Sequence, residues 1–101
     1  MTITTHENGD STTIAVEGRV TAQNSNEFGN EVKRLIGTVQ NLILDFDKLE
    51  YISSAGLMVL LFAQKEMNKR GSMKIINVSE VVYDVMVDVG FTGFSEIQKK
   101  E

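Results

Sequence analysis

Ser53 and Ser54 sit side by side in the segment YISSAGLMVLL, where a loop rich in hydroxyls and acids runs into an apolar stretch. A serine acts as a nucleophile when a neighbouring base takes its proton and a third group orients that base. The chain has one histidine, His6. It falls in a Thr-rich segment beside Asn8-Gly9 and reads as a solvated side chain on an edge strand. Ser-Ser-Ala-Gly is also not the G-x-S-x-G elbow of a serine hydrolase. No residue is therefore assigned a catalytic role. With no cysteine in the chain, a metal site would rest on Asp45, Asp47 and Glu50, and no EF-hand spacing follows them. They read as solvated loop acids, and no metal or cofactor is expected. The glycines are scattered at turns and helix ends instead of gathered in a phosphate-binding loop. Phe28, Phe62 and the Val/Met stripe of residues 82–89 read as core.

A binding surface is the chemistry that remains for the Ser53-Ser54 segment. One reading is a helix start, with Ser53 or Ser54 as N-cap contributing about 1 kcal/mol. The other starts from Gly56, which costs a helix interior roughly 1 kcal/mol relative to alanine. It would leave backbone uncovered beside the Ser54 hydroxyl, open to another molecule. Met58 is four residues beyond Ser54 and shares its helical face, whereas Leu57, Leu60 and Leu61 point more toward a sheet. An exposed methionine beside a serine suits an adaptable protein-binding surface.

The elements that would hold this segment follow from periodicity. Residues 2–7 and 11–17 are rich in Thr, Ile and Val, and Asn8-Gly9 between them supplies the positive φ angles of a tight hairpin. Gly18 ends the second strand. Asn24, Ser25 and Asn26 offer caps to a helix carrying Phe28, Val32, Leu35 and Ile36 and stopping near Gly37. Leu42, Ile43 and Leu44 form a continuous apolar run, the pattern of a central strand covered on both faces. A second helix spans residues 55–70, a further strand 73–78, and a third helix follows the Ser79 cap with Val82, Val85, Met86 and Val89 on one face. Phe91 and Phe94 fold back onto the core, and a short strand near residues 95–98 closes the chain. The alternation predicts an α/β fold, a mixed sheet with crossover helices.

Length and composition narrow the setting. The 101 residues make one domain, 1–101, and 42% hydrophobic residues supply an ordinary core without metal or disulfide. A net charge of -4 and the lack of a basic run leave no footprint for nucleic acid. The first ten residues, MTITTHENGD, have no basic and apolar pattern for export, and no apolar run approaches the roughly 18 residues of a membrane span. The expectation is a cytoplasmic protein with no membrane insertion.

The segment YISSAGLMVLL resembles the signature of STAS-domain anti-sigma-factor antagonists, in which a phosphorylatable Ser or Thr and a small-Gly-Leu sequence open the second helix. The likeness runs through VEGRV, NSNEF, LILDFDKLEYISSAGLMVLL, KIINV and VVYDVMVDVGFTGFSEI, essentially the whole chain. It implies a mixed sheet of four to five strands with about three helices packed mainly on one face, and a bacterial partner-switching role. In that role the unphosphorylated protein binds an anti-sigma factor that is also a serine kinase, releasing the sigma factor, and a serine phosphatase reverses the modification. Matched to the signature, Ala55-Gly56-Leu57 puts the phosphorylated hydroxyl on Ser54, with Ser53 the fallback. The implied partner-binding set is Thr21, Asn24, Ser53, Ser54, Gly56 and Met58. Thr21 and Ser53 stand where many members carry acids. Met58, where members often have Gly or Arg, suggests a partner with an apolar pocket. STAS domains also serve as adaptors in secretion control, stress complexes and lipid-transport assemblies, the alternative reading.

Overall fold

A computed structural model describes residues 1–101. In chain order the elements are β1 (Thr2–Asn8), β2 (Ser11–Val20), α1 (Ser25–Ile36), β3 (Asn41–Asp45), β4 (Leu49–Ile52), α2 (Ser54–Met67), β5 (Ser72–Val78), α3 (Glu80–Asp88), a 3-10 turn over Phe91–Gly93, and β6 (Glu96–Lys99). All six strands join one sheet in the order β1-β2-β3-β5-β6, with β4 also paired to β2. The β1-β2 pair is antiparallel and every other pair is parallel. The expected mixed α/β architecture with three helices is therefore present.

The sheet has six strands where four to five were expected, and the extra one is β4. Its sequence, LEYI, is too short to give a period of its own. It forms because β2 is longer than the sequence pattern implies. Residues 11–15 of β2 pair with β3, and beyond Gly18 the same strand pairs with β4, Val20 opposite Ile52. Gly18 does not end β2. It takes φ +93° in a bulge, a conformation disfavoured for any residue with a Cβ, and its N–H donates to the Lys48 carbonyl at 2.9 Å. The bulge lets one strand serve two partners in succession.

The hairpin also differs in register. Asn8 pairs with Ser11, so the two-residue turn is Gly9-Asp10, and only Gly9 has positive φ, as at the first central position of a type II′ turn.

One apolar core of 23 residues fills the space between the sheet and the helices. Along β3 burial alternates: Leu42 and Leu44 are buried, while Ile43 is only half-buried on the opposite face. This overturns the expectation of a strand covered on both faces. The apolar run is central, but the helices lie on one side only. α1 contributes Phe28, Val32, Leu35 and Ile36 to the core, α2 contributes Leu57, Leu60, Ala63 and Met67, and α3 contributes Val82 and Met86. Fully burying such side chains contributes about 1.5–3 kcal/mol each.

Several expected core positions are not core. Phe62 is 42% exposed, its ring covered by the Lys33 ammonium 5.4 Å from the centroid. Val89 is exposed because α3 stops at Asp88 and Gly90 turns the chain with φ +74°, breaking the helical face one residue early. Phe91 packs into the core as expected, but Phe94 stays exposed.

Candidate functional site

The segment around Ser53 starts at the carboxyl ends of two adjacent parallel strands, the usual place for binding sites in open α/β sheets. The Ser53 N–H donates to the Val20 carbonyl at 2.8 Å, tying the start of α2 to the end of β2. The Ser53 hydroxyl accepts the Gly56 N–H at 3.2 Å, so Ser53 is the N-cap. Ser54 is the first helical residue, and it is exposed. The two hydroxyls thus divide the labour: one closes the helix end, and the other is free.

Gly56 has a different reason from the one its sequence position suggests. It is buried, and a Cβ built on it would lie 2.7 Å from Ile52 Cγ1 and 2.8 Å from Val20 Cγ1. The missing side chain lets α2 sit directly on the ends of β4 and β2. The expectation that Gly56 bares backbone to a partner is therefore corrected: its open side faces inward.

Thr21 and Asn24 lie in the loop after β2, beside the same strand ends. The Thr21 N–H donates to Asn24 Oδ1 at 2.8 Å, and the Asn24 N–H donates to Thr21 Oγ1 at 3.4 Å. Asn24 Nδ2 also donates to the Arg19 carbonyl at 2.9 Å. Asn24 holds the N-cap position of α1, yet its side chain caps no amide of that helix. Both side chains are spent on the loop itself.

An apolar groove of about 160 Å³ opens beside Ser54. One wall is α2, with Leu57, Met58 and Leu61. The other is the turn after α3, with Val89, Phe91 and Phe94. Met58 is 63% exposed, Phe94 58% and Val89 52%. Leu61, expected to point at the sheet, is half-buried and lines this groove. Ser54 is its one polar residue, and no lining residue carries a charge. Ser54, Met58 and Phe62 follow each other at four-residue spacing, continuing an exposed stripe along α2. Of the six residues expected to face a partner, the groove takes in Ser54 and Met58. Ser53 is the cap behind it, Thr21 and Asn24 border the neighbouring strand end, and Gly56 is beneath.

Val89, Phe94 and Phe62 escaped the sequence reading because apolar side chains at helical spacing look like core. For Val89 the available signal was Gly90, which ends the helical face after it.

A part-buried polar link braces the far wall. Ser95 Oγ lies 2.7 Å from Gln64 Oε1, and Gln64 Nε2 donates to Asn68 Oδ1 at 2.8 Å. Gln64 is 7% exposed and Ser95 half-buried, so α2 holds the segment after Phe94 through a part-buried bond. The displaced pKa values lie elsewhere. Arg34 is raised by its hydrogen bond to Glu31, and Lys99 by its hydrogen bond to Glu80.

Comparison with protein families matches the STAS domain over residues 2–101. The chain belongs to the STAS family. A search of curated protein sequences finds no match. Among solved structures, this STAS domain is similar to the anti-sigma factor antagonist SpoIIAA in its unphosphorylated form, with TM-score 0.81, 17% identity, and coverage of 95% of this chain and 87% of that one. It is also similar to the Bacillus SpoIIAA structure in the phosphorylated form, with TM-score 0.74, 17% identity, and coverage of 95% and 90%. An anti-sigma factor antagonist from Mycobacterium paratuberculosis aligns with TM-score 0.88, 12% identity, and coverage of 96% and 84%. At such identities the shared property is the STAS fold. No helix of the chain is long and apolar enough to cross a membrane.

Proposed function

We propose that this STAS domain is an anti-sigma-factor antagonist of the bacterial cytoplasm, switched by phosphorylation of Ser54. The observation that carries the reading is the free Ser54 hydroxyl at the first turn of α2, on the edge of an uncharged apolar groove. In the unphosphorylated state a serine kinase that doubles as anti-sigma factor covers the groove and buries Met58, and the sigma factor is released. A serine phosphatase resets the switch. The protein acts by binding and has no catalytic residue of its own.

A phosphate on Ser54 adds about -1.5 to -2 charge at the positive end of a 14-residue helix. The Ser53 hydroxyl takes the Gly56 amide and the Ser53 carbonyl takes the Leu57 amide at 3.0 Å, leaving the earlier amides of the turn for phosphate oxygens. The fold tolerates the modification and the interface does not, because docking would bury a dianion among apolar side chains. A penalty of about 3 kcal/mol weakens binding more than a hundredfold.

The test takes the protein from its own cells, measures intact mass and maps the peptide spanning residues 49–65. It then compares kinase affinity and melting temperature for Ser54→Asp and Ser54→Ala. Phosphate on Ser54, with Ser54→Asp folded but unable to bind, supports the switch. Kinase binding by Ser54→Asp equal to wild type ends it. Stable co-purification with a transporter ATPase and no phosphoserine would favour the adaptor reading.

A further inference from the structure

The chain has five methionines and no cysteine. Met67 and Met86 are fully buried, Met73 is 5% exposed, and Met1 packs half-buried against the core. Met58 alone among them presents an open thioether. Oxidants of the peroxide class react with accessible soft sulfur, and thiolates are the usual competitors. Here there is no thiol to compete, and the open sulfur lies on the lip of the groove, one helical turn from Ser54.

We infer that Met58 is an oxidation-sensitive modification site through which peroxide closes the groove independently of Ser54 phosphorylation. The consequence for a partner rests on the docking role proposed above, whereas the site's reactivity does not. In the reaction the thioether sulfur attacks one oxygen of hydrogen peroxide and the O–O bond breaks. The sulfur keeps that oxygen as a sulfoxide, and the other leaves as water after proton transfer. Sulfur loses two electrons and the peroxide gains them. A methionine sulfoxide reductase, drawing on a thiol reductant, reverses the step.

The sulfoxide oxygen is a strong acceptor, and the only side-chain donor lining the groove is the Ser54 hydroxyl. An apolar surface that covers Met58 must strip water from this oxygen and offers no donor of its own in return. Because the side chain is exposed in the free protein, the cost falls on binding and not on folding. Phosphate at Ser54 and oxygen at Met58 would then act on one face, four residues apart.

The experiment treats the full chain with hydrogen peroxide, maps added oxygen by peptide mass, and follows the groove with the apolar dye anilinonaphthalene sulfonate. Oxygen should appear on Met58 before Met67, Met73 and Met86. Dye binding should weaken about tenfold, equivalent to about 1.4 kcal/mol, at unchanged melting temperature, and recover with methionine sulfoxide reductase. In Met58→Leu, whatever its own dye affinity, peroxide should add no oxygen at position 58 and should not change dye binding further. Oxidation that begins at a buried methionine, or a Met58 sulfoxide that leaves dye binding unchanged, overturns the inference. Absence of phosphate on Ser54 would count against the proposed switch while leaving these measurements standing.

Discussion

The Ser53 hydroxyl accepts the Gly56 amide at 3.2 Å, and this bond decides which of two neighbouring serines is structural. Ser53→Ala is expected to cost about 1 kcal/mol, whereas Ser54→Ala, at an exposed position, stays within about 0.5 kcal/mol of wild type. Urea unfolding of both variants checks the assignment. A larger loss for Ser54→Ala would reverse the roles.

Gly56→Ala sets helix propensity against packing. Alanine favours a helix interior by roughly 1 kcal/mol over glycine, yet its methyl would stand 2.7 Å from Ile52 Cγ1 and 2.8 Å from Val20 Cγ1. Overpacking of this kind costs typically about 1–3 kcal/mol, so net destabilisation is expected. Adding Val20→Ala removes one clashing methyl, and Gly56→Ala should then cost less than it does alone. A double-mutant cycle on thermal unfolding reads the coupling, and strict additivity would mean that the clash is relieved elsewhere.

The Ser95-Gln64 link gives a local test. Ser95→Ala leaves Gln64 Oε1 without its partner at a buried position, a loss of about 1–3 kcal/mol. Amide hydrogen exchange should quicken first over residues 91–99, the segment the bond holds against α2. Uniform quickening across the sheet would deny the link its bracing role.

Met58→Ala and Phe94→Ala should leave stability within about 0.5 kcal/mol, since both side chains are exposed. If the groove is the docking face, each should weaken kinase binding by about 1–2 kcal/mol, as apolar anchors do. Calorimetric titration measures this directly, and wild-type affinity in both variants would move the docking face off the groove.

Lys99 predicts an alkaline effect. Its ammonium lies 2.7 Å from Glu80, and that hydrogen bond is the main cause that holds its pKa above the ordinary 10.5. A base whose pKa is raised by folding stabilises the fold fully below its unfolded value and loses that contribution as pH rises through the folded value. Glu80→Gln should therefore lower the melting temperature slightly at neutral pH and by less once Lys99 is deprotonated, when only the interaction of the Glu80 carboxylate with the N-terminus of α3 remains to be lost. Thermal scans across the alkaline range follow the gap, which should narrow with rising pH.

Much of this molecule could be read from local pattern. The hairpin, all three helices and the Ser79 cap depend on neighbours within a turn or a hairpin, and the strands around residues 42–44 and 73–78 announce themselves by runs of apolar side chains although their parallel partners are distant; the structure contains them all. What was not readable depends on distant partners. LEYI becomes a strand only because β2 runs past its Gly18 bulge to meet it. Ile43 resembles its buried neighbours in type, but whether a helix covers the far face of a sheet is settled by where the crossovers go.

The Ser53-Ser54 segment divides the same way. Sequence alone determined that a hydroxyl pair, a glycine and a methionine open an apolar helix, because residue types and spacing along one helix are local facts. Tertiary structure decided that Ser53 is the cap, that Gly56 faces Ile52 and Val20, and that Phe94 and Val89 complete a groove beside Ser54. Helical spacing reports which residues share a face. Only the packing of α2 against β2, β4 and the turn after α3 determines whether that face meets the core or the solvent.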